Sequence, residues 1–262
     1  MTDATKKNPA KPPVSATPAP MDAKVRGVFS SQKVVKVGTG VTQRRMVQQA
    51  YYYVEENDAG ELEAQPLNKS HLPTGEKEII TKDDLLAQYI PDPEFYQKEV
   101  FPKLRELQKT LARADRHRQK GETFSAEMEY GNALKVDDEN VRANFGIGLC
   151  YLSRGETAKA EDILSRIVKL DAAFQSDHKH LFNEFGINLR KSKMYQQSVD
   201  YYTKASELSP RDENILYNKG RALFENSDFA GAKTALEQAL ALNPNFEEAT
   251  KFLNYMASKN LI

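Results

Sequence analysis

Small side chains recur at a nearly constant spacing through roughly the last three-fifths of this 262-residue chain. Ala114, Gly148, Gly186 and Gly220 are equivalent, and only the middle interval is slightly longer than the other two. A second small residue follows each of them, and a large residue follows one helical turn later. These two sets are Ala126, Ala160, Ser198 and Ala232, then Tyr130, Leu164, Tyr202 and Leu236. A repeat of this kind predicts stacked helical hairpins that share one continuous core.

This pattern resembles the tetratricopeptide repeat family, whose unit is a helix–turn–helix of about 34 residues. Residues 181–210 and 214–244 match best, and both end in proline. The first repeat departs from the family at Arg113-Ala114, and the second lacks the terminal proline. Four extra residues fall near residues 172–177, and we expect them to lengthen the first helix of the third repeat, with Ser176 or Asp177 as its N-cap.

The resemblance implies an all-α fold, an α-solenoid of stacked tetratricopeptide hairpins closed by a capping helix. A small β-hairpin-containing region precedes it. The predicted divisions are a disordered Pro/Lys-rich tail (1–26), the hairpin region (27–80), connecting helices (81–106) and the solenoid (107–262). The solenoid divides into repeats 107–140, 141–174, 179–212 and 213–246, with the capping helix at 245–260.

The residues before the solenoid differ from it in composition. Five of the twelve prolines lie in the segment 1–26, which predicts a solvated tail. Residues 27–67 are rich in β-branched and aromatic side chains between glycine turns, which predicts two or three strands. Thr81 and Asp92 each precede acidic residues and are predicted helix N-caps, and Pro102 should break or kink the helix after it.

The formal net charge of zero conceals an uneven distribution. Residues 1–50 carry nine basic and two acidic residues, whereas residues 51–100 carry four basic and twelve acidic ones. The remainder is nearly balanced, so strong unspecific binding of the repeats to nucleic acid is not expected. The acidic stretch could face basic residues of the solenoid, and we expect the N-terminal strands to dock on the repeats.

The family resemblance implies a concave groove lined by the first helix of each repeat, in which a protein or peptide partner binds. Positions two, five and nine of these helices face the groove in relatives. The candidate partner-binding residues, with one further position at Arg190, are Arg142, Phe145, Leu149, His180, Asn183, Ile187, Arg190, Asn214, Tyr217 and Arg221. Arginines would pair with carboxylates, asparagines with a peptide backbone, and Phe145 and Tyr217 would be apolar anchors. The Lys and Asn pattern with which some relatives hold a chaperone's acidic tail is absent.

Other kinds of site find little support. We expect no enzyme activity, no cofactor and no metal, because His178 and His180 diverge on a helix and no catalytic motif emerges. The lone Cys150 lies in an apolar run and is predicted to be a core residue. The chain has a single cysteine, and it has no apolar stretch that predicts a secretory signal or a membrane span. These features favour a cytoplasmic protein that binds no membrane.

We therefore predict a non-enzymatic protein–protein interaction module or adaptor. Two alternatives involve the N-terminal region. RNA binding, which we consider unlikely on charge grounds, would use the basic residues near the tyrosine trio Tyr51–Tyr53. These rings cannot form one stacking surface, because Tyr52 should face away from the other two on a strand. A self-associating scaffold would instead use the exposed edge of the strands.

Overall fold

The computed structural model describes residues 24–37, 44–170, 173 and 178–262, and for residues 33–37 and 44–48 only the backbone is considered. A small antiparallel sheet with short helices comes first, and paired helices occupy the rest of the chain. This arrangement confirms the predicted α-solenoid with a strand-containing region before it. The predicted tail lies outside the described residues up to residue 23, whereas Arg26 already belongs to the first strand.

Within the described residues the sheet has five strands in the order β4-β3-β2-β1-β5, and every neighbouring pair is antiparallel. The strands are β1 (Arg26–Val37), β2 (Arg44–Glu56), β3 (Leu62–Pro66), β4 (Glu78–Ile80) and β5 (Ile90–Pro91). The first three occupy the segment in which strands were predicted. The sequence missed β4 and β5, because edge strands of two or three residues are too short to show an alternating pattern.

The side chains of the tyrosine trio point to different faces of the sheet. The Tyr52 ring lies 5.4 Å from the Tyr89 ring, near α1 (Lys82–Gln88). On the other face the Tyr51 ring lies 4.7 Å from Phe95. The Tyr53 ring lies 6.3 Å from Tyr96 on that same face. The alternation predicted for these three side chains is confirmed, and all three rings pack within this part of the molecule.

Short helices connect the sheet to the solenoid. Thr81 caps α1 in a capping box with Asp84, and the Asp92 carboxylate accepts from the Phe95 backbone N–H at the start of α2 (Pro93–Phe95). A π-helical segment, Tyr96–Val100, leads into the next helix. Pro102 lies in the first turn of that helix, directly after the π-helical segment.

In the part of the chain that the structure describes, nine further helices form the solenoid. They are α3 (Phe101–Gln119), α4 (Thr123–Val136), α5 (Val141–Ser153), α6 (Thr157–Ile167), α7 (Lys179–Lys191), α8 (Tyr195–Leu208), α9 (Glu213–Glu225), α10 (Phe229–Leu242) and α11 (Glu247–Ser258). Successive pairs from α3 to α10 form four hairpins, and α11 packs on the last of them. The recurrent glycines allow close approach: a Cβ atom on Gly186 would lie 2.4 Å from the Tyr202 hydroxyl oxygen.

The extra residues between the second and third repeats do not lengthen α7. This helix has 13 residues, as α5 and α9 do, and it begins at Lys179 with His178 before it. The expected caps, Ser176 and Asp177, lie outside the described residues. Ala173 in the same connection is fully buried and belongs to the apolar core of the repeats.

Candidate functional site

The inner face of the solenoid, meaning the groove positions of α3, α5, α7 and α9, is closed at the second repeat. The eight residues from Ala143 to Cys150 on α5 are all buried. Phe145 is fully buried, and its ring lies 5.6 Å from the Phe185 ring of α7. The interpretation of Phe145 and Leu149 as exposed partner contacts is therefore wrong, because neighbouring helices cover this part of α5.

An ion pair connects the first and third repeats directly. The Arg118 guanidinium in α3 donates to the Glu184 carboxylate in α7, with an N···O distance of 2.6 Å. Burial has the largest single effect on the pKa of Arg118 and lowers it, but the hydrogen bond and the charge of Glu184, together with Tyr130, raise it and the net shift is upward. The sequence analysis missed this pair, since the two residues are 66 positions apart.

Arg142 is held by a carboxylate of the chain itself. Its Nε atom lies 2.8 Å from the Asp115 carboxylate at the end of α3. The Tyr130 hydroxyl donates to the other carboxylate oxygen of Asp115. Arg142 is thus part of an internal network at the first repeat, although its side chain remains partly exposed.

A loop from the sheet region, residues 67–77, covers the start of the solenoid. Leu72 is 1% exposed and belongs to the same apolar core as Leu107 and Leu111. The Asn68 amide donates to the Val136 carbonyl oxygen at 3.1 Å. The N-terminal region therefore docks on the first repeat and buries Leu111, a groove position.

A buried carboxylate anchors the other end of this loop. The Thr74 hydroxyl donates to Asp137 at 3.1 Å, and the Asn140 amide donates to the other carboxylate oxygen at 3.0 Å. Burial raises the pKa of Asp137, while these two donors oppose the shift. A mixed polar cleft of about 430 Å³ lies between this loop and the first turn of α5, and Arg142 and His178 are among the residues that line it.

The inner face is open from the third repeat onward. His180 and Asn214 are exposed, and Asn183, Ile187 and Arg190 are partly exposed. The Arg190 guanidinium forms an ion pair with Glu225 of α9. These five predicted residues therefore lie on α7 and α9, as the repeat register requires.

Arg221 differs from the other arginines of this face. Its guanidinium carbon lies 5.8 Å from the centre of the Tyr217 ring. Among the residues that the structure describes, no carboxylate pairs with it. An arginine beside an aromatic ring and without an acidic partner is suited to meet an anion from another molecule.

Aromatic rings extend the surface from α9 to α11. Tyr217 lies 5.1 Å from Phe246, and Phe224 lies 5.1 Å from Phe252. Tyr255 continues the network beside Phe252 and is exposed. The prediction included only Tyr217, since the groove positions were not extended into the capping helix. Continuing the same periodicity into α11 would have found Tyr255, at the ninth position, but not Phe252, at the sixth.

The remaining candidates do not form a chemical site. Cys150 is buried, and burial raises the pKa of its thiol to about 11. Within residues 24–37, 44–170, 173 and 178–262, no three His, Cys, Asp or Glu side chains group so that they could hold a metal ion. In the same ranges, no helix combines the length and apolar character needed to cross a membrane.

Comparison with known proteins identifies the repeats. The profile of the family described as Tetratricopeptide repeat matches residues 111–176 and, in a second form, residues 213–246. A curated relative, anaphase-promoting complex subunit 3 of Schizosaccharomyces pombe, is 24% identical over 151 residues. The match covers 55% of this chain and 22% of the relative, so the chain spans about a fifth of the relative's length.

Several solved structures are similar over the repeats. MamA 41-end from Desulfovibrio magneticus RS-1 has a TM-score of 0.45 and 16% identity, over 59% of this chain and 85% of that chain. Pseudomonas aeruginosa PilF has a TM-score of 0.43 and 19% identity, over 59% and 72% of the two chains. The recurrent residues, the four helical hairpins and the two profile matches show that the chain carries tetratricopeptide repeats, with profile matches at residues 111–176 and 213–246.

Proposed function

We propose that the protein is a non-enzymatic adaptor that holds a segment of a partner protein against the inner faces of α7, α9 and α11. The observation that carries this proposal is the set of partly exposed aromatic rings on α9 and α11, beside an unpaired arginine. Aromatic and arginine side chains are the residue types that most often dominate the energy of protein interfaces.

The first two repeats are unsuited to the same task. Their inner face is occupied by the loop that carries Leu72, by the internal pairing of Arg142 with Asp115, and by the helices packed around Phe145. A partner would have to displace these contacts to bind there. The proposed contact residues are therefore His180, Asn183, Ile187, Arg190, Asn214, Tyr217 and Arg221, together with Phe252 and Tyr255. A cytoplasmic location belongs to this proposal, on the basis of the cysteine usage.

The proposal is tested by cross-linking and affinity capture from the native lysate with the full chain. Arg221→Glu reverses the charge beside Tyr217 and should release the captured partner. Lys233→Glu on the exposed side of α10 makes the same charge change away from the inner face and should retain it. Equal capture by both variants and the unchanged chain would exclude this surface, provided that circular dichroism shows all three to be folded.

Self-association is a second candidate, and the open edge of β1 favours it. The short strand β5 covers β1 only at Phe29 and Ser30, whereas β1 continues to Val37. Beyond Ser30, no strand in the described part of the chain pairs with this edge. Two apolar side chains near it, Leu86 and Ile90, are 83% and 60% exposed. An exposed strand edge is a template for pairing with another chain.

Light scattering over a range of protein concentrations tests this candidate. The Val28 carbonyl oxygen accepts from the Asp92 backbone N–H on the β5 side. The backbone groups of every second residue of a strand point to the same edge, so the N–H of Gln32 points to the open edge of β1. Gln32→Pro removes that donor and should lower the apparent mass of any oligomer. A mass that stays monomeric at every concentration would contradict self-association.

A further inference from the structure

Two of the four repeats share a pair of polar side chains that the other two lack. Tyr130 and Tyr202 occupy the large position of the second helices in the first and third repeats, where Leu164 and Leu236 stand in the others. The same two repeats carry an arginine near the end of the first helix, at Arg118 and Arg190. The second and fourth repeats have Leu152 and Phe224 there. The first repeat can therefore serve as an internal reference for the third.

In the first repeat a carboxylate completes the arrangement. Asp115 occupies the ninth position of the repeat and accepts the hydrogen bond of the Tyr130 hydroxyl. Its second oxygen accepts from the Arg142 guanidinium, 2.8 Å away at Nε. One carboxylate thus satisfies a buried hydroxyl and neutralises an arginine of the next repeat.

In the third repeat that carboxylate is missing. The ninth position is Ile187, which has no atom that could accept a hydrogen bond. Tyr202 is 1% exposed, and its hydroxyl has no hydrogen-bond partner. A buried polar group without a partner costs stability, so an unsatisfied hydroxyl in a native structure needs an explanation.

The counterpart of Arg142 in the fourth repeat is Asn214, so the cation near the third repeat comes from a different position. Burial raises the pKa of Tyr202, whereas Arg190 and Arg221 act in the opposite direction, so both guanidinium groups lie within electrostatic reach of the hydroxyl. Arg190 already has Glu225 as its partner. Arg221 has none among the described residues, although Arg118, Arg142 and Arg190 are each paired with a carboxylate.

We propose that an acidic side chain of the bound partner segment takes the place that Asp115 fills in the first repeat, accepting from the Tyr202 hydroxyl and pairing with Arg221. This inference rests on the proposed function and specifies its ligand. The Tyr217 ring beside Arg221, with Phe246 and Phe252 beyond it, provides an apolar surface for the neighbouring residue of the segment. The preferred partner sequence is therefore an Asp or Glu next to an aromatic residue.

Access to the hydroxyl requires a local rearrangement. The hydroxyl oxygen is covered in the free protein, so side chains around it must shift when the carboxylate enters. Arg221 has a long side chain that no ion pair within the described residues restrains, and its shift breaks no salt bridge there. The free protein therefore holds the site in a closed form that binding opens.

Three blocked or partly blocked peptides test the ligand chemistry by calorimetric titration into the full chain. The first is acetyl-Gly-Ala-Glu-Phe-Ala-Gly-amide, and the second replaces its Glu by Gln. The third keeps the Gln but ends in a free carboxylate. We expect the Glu peptide to bind at least fivefold more tightly than the Gln amide. Tight binding of the third peptide alone would assign the carboxylate to a chain terminus and overturn the side-chain source.

Two variants determine whether the difference arises at this site. Ile187→Asp supplies the missing carboxylate from the chain itself and should abolish the preference for Glu, whereas Ile187→Leu, which has no atom that accepts a hydrogen bond, should retain it. Tyr202→Phe should also abolish the preference. Its melting temperature should not fall, because the hydroxyl it removes has no partner. Tyr130→Phe, which removes a bonded hydroxyl, should lower the melting temperature.

Failure of this inference differs from failure of the adaptor function. No measurable preference for Glu at millimolar peptide, or a preference that survives both Ile187→Asp and Tyr202→Phe, overturns the carboxylate site. If Arg221→Glu still releases the partner from the lysate under those conditions, the inner face remains the binding surface. If Arg221→Glu has no effect either, the proposed function fails as well.

Discussion

Arg118 and Glu184, which are 66 residues apart, form an ion pair 2.6 Å long that joins the first repeat to the third. Neighbouring repeats of a solenoid usually contact only each other. Here a side chain of α3 reaches α7, and the intervening α5 is enclosed. The predicted contact residues on α7 and α9 remain at least partly exposed, whereas Phe145 and Leu149 of the second repeat are buried.

Removing the acidic member of this pair should destabilise the protein. Glu184→Ala leaves a partly buried guanidinium without its partner, and the Nε atom of Arg118 already lacks one. Because the pair is partly screened by solvent, we expect a loss of about 1–2 kcal/mol in the free energy of unfolding, measured by urea titration. Glu94→Ala breaks the exposed pair with Lys98 and should cost less than about 0.5 kcal/mol. Equal losses would contradict a structural role for Arg118.

The close approach of α7 and α8 predicts opposite effects for two glycine substitutions. A Cβ atom on Gly186 would lie 2.4 Å from the Tyr202 hydroxyl oxygen. Gly186→Ala should therefore lower the free energy of unfolding by about 1–3 kcal/mol, because the added methyl group overpacks the core. Gly131 lies in α4 with no atom within 4 Å of an added Cβ. Gly131→Ala should therefore raise the free energy of unfolding by about 0.5–1 kcal/mol, because alanine has a higher helix propensity than glycine. Thermal unfolding of both variants gives the two signs, and the same sign in both would refute this account.

Because the N-terminal region docks on the first repeat, replacing Leu72 should lower the stability of the protein strongly, whereas replacing Leu86 should hardly change it. Leu72→Ala opens a cavity between the loop and the first repeat, which should cost about 2–4 kcal/mol. Leu86 is 83% exposed, so Leu86→Ala should change the free energy of unfolding by less than about 0.5 kcal/mol. Chemical denaturation compares them. A small effect of Leu72→Ala would mean that the loop does not stabilise the repeats.

Asp137 predicts a pH dependence of stability. Its pKa is raised in the folded protein by burial, so the folded state binds its proton more readily than the unfolded state does. This contribution favours folding at low pH and is lost as pH rises from the ordinary pKa of about 3.9 through the raised value. Asp137→Asn removes the dependence, so its stability relative to the unchanged chain should improve as pH rises through this window.

Asp58 provides a control of opposite sign. Its ion pair with Lys24 lowers its pKa, so its contribution is present above the ordinary pKa and is lost as pH falls. The relative stability of Asp58→Asn should therefore worsen, or remain unchanged, as pH rises. Urea titrations at several pH values between 3 and 7 distinguish the variants. Parallel pH profiles would contradict the burial of the Asp137 carboxylate.

The sequence was sufficient to predict the repeats, because their pattern is local and periodic. Gly186 and Tyr202 belong to one helical hairpin, and their contact follows from its geometry. Tyr52 faces away from Tyr51 and Tyr53 for an equally local reason, the alternation of a strand. These parts of the fold depend on short-range rules that a single sequence displays.

The candidate surface was harder to predict, because it depends on contacts between distant residues. Phe145 occupies a groove position, yet its burial depends on how α7 packs after a connection of unusual length. The pairing of Arg118 with Glu184 has no local signal. Tyr255 could have been included from the sequence, since it continues the groove register into α11, whereas Phe252 lies outside that register.

The burial of α5 also bears on which parts of the protein should unfold together and which should unfold locally. One apolar core extends from Leu72 through the first three repeats to Ala222, and a second, from Leu223 to Met256, belongs to the fourth repeat and α11. The first core is tied together by contacts that bypass a repeat, so its hairpins must open together. Within the described residues the C-terminal unit lacks such ties and can open by itself. The α11 part of the proposed binding surface belongs to this C-terminal unit, whereas its α7 part belongs to the first core. We therefore expect faster local exchange of amide hydrogens in α11 than in α7, and we expect a bound partner to slow it.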